Sequence, residues 1–244
     1  MKITEASKLQ HLLFEEGFGP HFTYLVTKKL QEQETSPALK IGIMGGTFDP
    51  IHWGHLVCAN QVAEHCELDL VLFMVTGNPA FKQDQYVSPA VHRAAMVEIA
   101  IAKNKVFELC QFEMLKSGIS YTSQTLSEFA DLLSSIGLET KRDLELFFIT
   151  GADAVLSILA WHEPEKICDL AHILAVRRPG YDLSKLDSLL KDSSIKEALS
   201  SIEIPALSIS SSYLRKRLAQ GKSVAYLTDS RVIDYIEEHK LYGA

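Results

Sequence analysis

Lys40-Ile41-Gly42-Ile43-Met44-Gly45-Gly46-Thr47-Phe48-Asp49-Pro50-Ile51-His52-Trp53-Gly54-His55 is the stretch on which the fold turns. Lys40–Met44 is an apolar run of strand length ending in two glycines, where the backbone can approach a ligand with no Cβ in the way. A short loop follows, and a helix is expected from about Gly54 to Cys66, with Leu56, Val57, Val62 and Ala63 on one stripe. That places His52 and His55 beside the free N–H groups at the positive end of a helix. In open α/β sheets ligands bind beyond the carboxyl ends of the strands, which is where this segment lies. Two imidazoles at a helix N-terminus make a site for phosphate charge. The plainer reading has the glycines shaping a turn and the histidines as structure. A zinc site is a third reading, for which a His-x-x-His pair by itself is weak support.

Outward from this segment, strands alternate with helices. Leu70–Val75 is apolar throughout, as a strand covered on both faces would be. Pro89 opens a helix through Ala102, Val106–Leu115 reads as a strand, and Thr122 begins a helix to about Ser135. Leu144–Thr150 and Ile173–Val176 are further strands, the second ended by Arg178-Pro179-Gly180. Ser211 and Ser212 are natural caps for a helix through Leu218, and an amphipathic helix covers roughly Asp229–His239. The alternation implies an α/β fold with a doubly wound parallel sheet. Residues 1–39 differ. Helical patterns around Leu9–Glu15 and Phe22–Gln33 flank Gly17-Phe18-Gly19-Pro20, and a polar stretch from Glu32 to Pro37 leads into the first strand. We read 1–39 as an N-terminal extension, helical or partly ordered, and 40–244 as the main domain.

The 244 residues carry 24 basic and 31 acidic side chains, a net charge of −7, which argues against a nucleic-acid binder that works by neutralising many phosphates. A nucleotide remains compatible, since a few local cations and helix N-termini hold a triphosphate. Cys58, Cys66, Cys110 and Cys168 form no CxxC pair and read as reduced, buried thiols. No run of about 18 apolar residues is present to span a membrane. Met1-Lys2-Ile3-Thr4 does not open a signal peptide, so a cytoplasmic location is expected.

The segment Gly45–His55 resembles the signature of the HxGH nucleotidyltransferase superfamily, and in its longer form it is similar to bacterial nicotinate-nucleotide adenylyltransferases. Further pieces match across 40–244. Ser120-Tyr121-Thr122 resembles SYTxDT, and Gly151-Ala152-Asp153 with Trp161 resembles GAD…W. Arg178-Pro179-Gly180 matches a loop of that family, and Ile209-Ser210-Ser211-Ser212-Tyr213-Leu214-Arg215 looks like (I/V)SSTxIR. The resemblance implies a Rossmann-like nucleotidyltransferase fold and transfer of the adenylyl group of ATP, assisted by Mg²⁺, to nicotinate mononucleotide.

By the same resemblance His52, His55, Lys82 and Arg215 carry the chemistry. Gly45, Gly46, Thr47, Phe48, Gly54, Gly151, Asp153, Ser210, Ser211 and Ser212 bind ATP, with Asp153 on ribose hydroxyls or merely capping a helix. Asp49, Arg93, Tyr121, Thr122, Trp161 and Arg178 bind the mononucleotide, Trp161 by stacking on the pyridine ring. Two positions depart from the family: Phe81 stands where PPHK has its histidine, and Gln124 where an acid is usual. Other acceptors within the superfamily (nicotinamide mononucleotide, phosphopantetheine) and a silent nucleotide-binding module are the alternatives. The oligomeric state, a homo-oligomer included, is left open.

Overall fold

In the computed structural model, residues 3–31, 37–78, 86–156, 158–177, 194–205 and 207–244 are described. Lys82 and Arg178 lie outside them, as does Phe81.

Six parallel strands make one sheet: β1 (Leu39–Gly46), β2 (Leu70–Val75), β3 (Phe107–Cys110), β4 (Leu144–Gly151), β5 (His172–Arg177) and β6 (Leu199–Glu203), in the order β3-β2-β1-β4-β5-β6. The chain winds from β1 out to one edge, returns, and continues on the other side of β1 with β4. The switch point therefore falls between β1 and β4, where a crevice opens.

Alternate side chains of each strand enter opposite cores. Ile41, Ile43, Leu72, Met74, Leu146 and Phe148 face one way; Met44, Val71, Phe73, Val75, Ile149 and Val176 face the other. The first face is covered by α1 (Ile3–Glu15), α2 (Pro20–Lys29), α5 (Thr122–Ser135), α6 (Ala152–Val155) and α7 (Pro164–Leu170). The second is covered by α3 (Trp53–His65), α4 (Ala90–Ile101), α8 (Ser211–Leu218) and α9 (Ser230–Glu238).

The N-terminal residues are part of this packing. Leu9, Leu13, Phe18, Phe22 and Val26 are buried against Phe112, Leu126, Phe129 and Leu133. The start of α2 is held by Glu108 on β3, whose carboxylate accepts the N–H groups of His21 and Phe22 at 2.7 and 3.0 Å. Burial pushes the Glu108 carboxyl upward in pKa despite these donors.

Three elements differ from the sequence expectation. The strand expected over Val106–Leu115 ends at Cys110 and passes into a 3-10 turn, Phe112–Leu115. Continued extension would leave the Phe112 ring outside the aromatic cluster it enters. Gln111 N–H also bonds out of the ladder, to Gly17 O at 2.8 Å. β6 and α7 were not anticipated. β6 is an edge strand with alternation too polar to read, Leu199-Ser200-Ser201-Ile202-Glu203, and α7 is two turns long.

Candidate active site

β1 ends in Gly45-Gly46, and the loop 47–52 carries the chain into α3. Phe48 takes a left-handed backbone (φ 48°). Its ring lies against Gly46, where a Cβ would come 2.8 Å from it, so the residue at 46 has to be glycine for the loop to close this tightly. His52 is the cap residue of α3, and its N–H donates to His55 Nδ1 at 3.2 Å. That acceptor role leaves Nε2 of His55 to carry the ring proton. The two rings stack with centroids 3.7 Å apart. Gly54 is open for the same reason as Gly46: a Cβ there would sit 3.0 Å from the His52 ring. His52 is 5% exposed, and burial lowers its pKa to about 4. It is therefore a neutral hydrogen-bonding group at neutral pH, not the cation that a phosphate-neutralising role would require.

Two cavities meet over β1 and β4. The first, of about 290 Å³, is lined by Gly45, Gly46, Phe48, His52, Gly54, His55, Gly151 and Asp153 together with Met44, Cys58, Ile149, Thr150 and Arg177, and it is closed by Ile204, Leu207 and Ile209. The second, of about 220 Å³, is lined by Thr47, Thr122 and Trp161 with Ile43, Thr76, Glu113, Ser120, Thr125, Phe148 and Thr150. Neighbours along each strand supply opposite cavities, Ile43 then Met44 and Phe148 then Ile149. Gly45, Gly46 and Thr150 line both.

The expected site residues separate into two groups. Those named above line a cavity. Of the other described ones, Arg93, Asp49, Arg215 and Ser211 hold the loop that carries the histidines. Arg93, 1% exposed, donates through Nε to Ser88 O, Nη1 to Thr47 O and Nη2 to Gly77 O, at 2.8, 2.9 and 3.2 Å. Asp49 is buried and accepts the Tyr242 hydroxyl at 2.6 Å and Ser88 N–H at 3.3 Å. Burial beside Asp49 keeps that phenol protonated well above its usual range. Arg215 donates to Asp49 O at 2.7 Å, Ser211 Oγ to Pro50 O at 2.8 Å, and Ser210 Oγ caps α8 by accepting Tyr213 N–H. Ser212 Oγ lies 3.4 Å from Arg215 Nη2. The start of α8 is thus strapped to the histidine loop. Tyr121 occupies the N-cap position of α5 without a side-chain capping bond and stacks on His162 at 4.7 Å, and Trp161 stands edge-on to Phe148 at 6.0 Å.

Thr76, Glu113, Thr125, Thr150 and Arg177 also line the cavities and were not read from the sequence. Thr76 and Thr150 had a signal available: Thr76 directly follows the apolar β2, and Thr150 ends the apolar run Leu146–Ile149 within β4. Glu113 is buried and its Oε1 accepts Thr125 Oγ1 at 2.8 Å, with Ser120 and Thr76 hydroxyls also bonded to the carboxyl. Burial raises its pKa. Arg177 pairs with Glu203 on β6. Among the described residues no group of three or more His, Cys, Asp or Glu side chains is placed to hold a metal ion. No described helix is long and apolar enough to cross a membrane.

A parallel sheet in this order, with a histidine-bearing helix start at its switch point and a two-sided crevice above, defines a nucleotide-binding transferase. The chain belongs to the cytidylyltransferase-like family, whose model matches residues 43–217. It is 44% identical over 207 residues to a protein of Clavibacter michiganensis subsp. michiganensis named "probable nicotinate-nucleotide adenylyltransferase", covering 85% of this chain and 96% of that one. A protein of the same name from Leifsonia xyli subsp. xyli is 44% identical over 203 residues, 83% of this chain and 94% of the relative. The fold is similar to that of Plasmodium falciparum nicotinic acid mononucleotide adenylyltransferase complexed with NaAD, at TM-score 0.67 and 22% identity, covering 84% and 98% of the two chains.

Proposed function

We propose that this enzyme transfers the adenylyl group of ATP to nicotinate mononucleotide, giving nicotinate adenine dinucleotide and pyrophosphate in NAD biosynthesis. The observation that carries the reading is the pair of cavities on opposite faces of the sheet, joined over Gly45-Gly46 beside His52 and His55. Two ligands held there would bring their phosphates together at the histidines. The kinship with nicotinate-nucleotide adenylyltransferases at 44% identity supports the choice of acceptor.

ATP occupies the first cavity, with Gly151 and Asp153 toward its ribose and the start of α8 (Ser210, Ser211, Ser212) toward its phosphates. The mononucleotide occupies the second, its pyridine ring against Trp161 and its carboxylate toward Thr122 and the start of α5. A phosphate oxygen of the mononucleotide attacks the α-phosphorus in line; the bond from that phosphorus to the bridging oxygen breaks, and pyrophosphate leaves with the electron pair. The nucleophile is already an anion, so no general base is needed, and catalysis rests on positioning and charge stabilisation. His55 Nε2–H and the neutral His52 ring donate to the shifting phosphate oxygens, while Arg215 and Lys82 supply positive charge. Enzymes of this kind generally use a divalent metal with ATP. We assign Mg²⁺ arriving with ATP, where it would offset phosphate charge; among the described residues no group of three or more His, Cys, Asp or Glu is placed to hold a metal ion. We take 40–244 as the transferase domain and 1–39 as an extension. Four cysteines with no disulfide fit a reducing cytoplasm.

Pyrophosphate release from Mg·ATP, measured with nicotinate mononucleotide, nicotinamide mononucleotide and 4′-phosphopantetheine in parallel, tests the reading. It predicts release with the first and much less with the others. Release only with another acceptor would reassign the second cavity, and silence with all three would leave a binding module.

A further inference from the structure

We propose that the N-terminal helical pair sets the shape of the mononucleotide cavity from behind, with Phe18 as the positioning residue. The proposal rests on the reading of the second cavity given above and assigns a role to a segment lying before the family match, which begins at residue 43. The alignment with the Clavibacter relative covers 96% of that protein but 85% of this chain, so this chain has length that the relative lacks.

Two walls of the second cavity are the 3-10 turn Phe112–Leu115, through Glu113, and the start of α5, through Thr122, Thr125 and Leu126. Both are backed by the extension. Phe112, adjacent to Glu113, turns away from the cavity and meets the Phe18 ring at 5.4 Å. Phe129, one helical turn beyond Thr125, meets Phe18 at 5.1 Å and Phe22 at 5.6 Å. Phe18 and Phe22 stack at 4.6 Å. One ring therefore touches the supports of both walls, and the walls are themselves joined by Thr125 Oγ1 donating to Glu113 at 2.8 Å. The backbone adds a second tie. Gly17 O accepts Gln111 N–H at 2.8 Å, and Gly17 (φ +84°) packs so closely that a Cβ would lie 2.7 Å from the Gln111 carbonyl carbon. Lys116 closes the turn, its ammonium 4.2 Å over the Phe112 ring and 3.6 Å from the Glu16 carboxylate. The ATP cavity opens on the opposite face of the sheet, away from α1 and α2.

Steady-state kinetics on the full chain separate positioning from mere stability. Phe18→Leu and Gly17→Ala should raise KM for nicotinate mononucleotide about fivefold or more while KM for Mg·ATP stays within about twofold. Val26→Ala, which removes buried volume from the same helical pair, should lower Tm and move neither KM. Equal rises in both KM values, or a mononucleotide KM shifted as far by Val26→Ala, would overturn the proposal. If a variant fails to fold, hydrogen exchange on the unmodified protein decides. Mononucleotide binding should protect residues 12–26 together with 111–130, because coupling between two sites is reciprocal. Protection confined to 111–130 would count against it. Failure of the functional reading shows in a separate place, as absent wild-type turnover with this acceptor, and would take the proposal with it.

Discussion

His52 and His55 share a motif but not an environment. The His52 ring is buried and neutral at pH 7, so its contribution to a phosphate is an oriented hydrogen bond, not a charge. Such a preorganised donor still stabilises charge that develops in the transition state. His52→Ala and His55→Ala should each lower kcat by about 10²-fold, on the scale of losing one oxyanion donor. A variant retaining near wild-type kcat would remove that histidine from the mechanism. The depressed pKa also has a consequence for stability. The unfolded ring titrates near 6.5 and the folded ring near 4. Between those values the unfolded chain binds the extra proton, so stability falls as pH drops through the window, by up to about 3 kcal/mol. Glu108 and Glu113, raised by burial, act in the opposite sense and are common to the wild type and a His52→Gln variant. Denaturant midpoints between pH 7 and 4 should thus fall more steeply for the wild type; parallel slopes would show that this ring is not the source.

At the level of elements, partners far away in sequence hold the histidine loop. Arg93 on α4 fastens Thr47, Gly77 and Ser88, Arg215 on α8 fastens Asp49, and Tyr242 near the C-terminus fastens the Asp49 carboxylate. Hydrogen bonds from a charged donor contribute about 1.5–3 kcal/mol each, so Arg93→Ala should destabilise the fold by several kcal/mol, with the histidine loop and both ends of the β2–α4 connection losing a common anchor. Arg93→Lys should not restore it, because one ammonium cannot reach three divergent carbonyls. Thermal unfolding decides: a Tm for Arg93→Lys close to wild type would show that charge alone suffices. The family resemblance placed Arg93 with the mononucleotide-binding residues, and the fold gives its guanidinium three carbonyl partners that sequence does not mark. The same limit hid Glu113. It comes from a turn that reads as strand, and only the folded positions of Gly17 and Phe18 show why the chain bends there.

Across the whole molecule, the two-faced sheet was legible early, because apolar strands bounded by glycine, proline and capping serines alternate with helices from residue 40 onward. Two features were not. An edge strand as polar as Leu199–Glu203 carries no hydrophobic period, and cavities assembled from single residues on many elements leave no contiguous motif. What the sequence did contain was the pair Gly45-Gly46, and the architecture assigns these glycines different duties. Side chains alternate along β1, so a Cβ at 45 would point to the mononucleotide face and one at 46 to the ATP face. At 46 it would lie 2.8 Å from the Phe48 ring, whereas at 45 it would lie 3.5 Å from Phe148, an ordinary contact. Gly46→Ala should therefore destabilise the protein by about 1–3 kcal/mol, as overpacking does, by displacing the loop that carries both histidines. Gly45→Ala should keep stability within about 1 kcal/mol of wild type, there being no clash to relieve. Its methyl would instead stand where the two cavities join, and a misplacement of the reacting phosphates by even a fraction of an ångström should lower kcat/KM about tenfold or more. Denaturant titration and turnover of the two variants, run together, test the assignment. If Gly45→Ala turns over like the wild type, the substrates do not meet above β1, and the junction of the two cavities is a feature of packing alone.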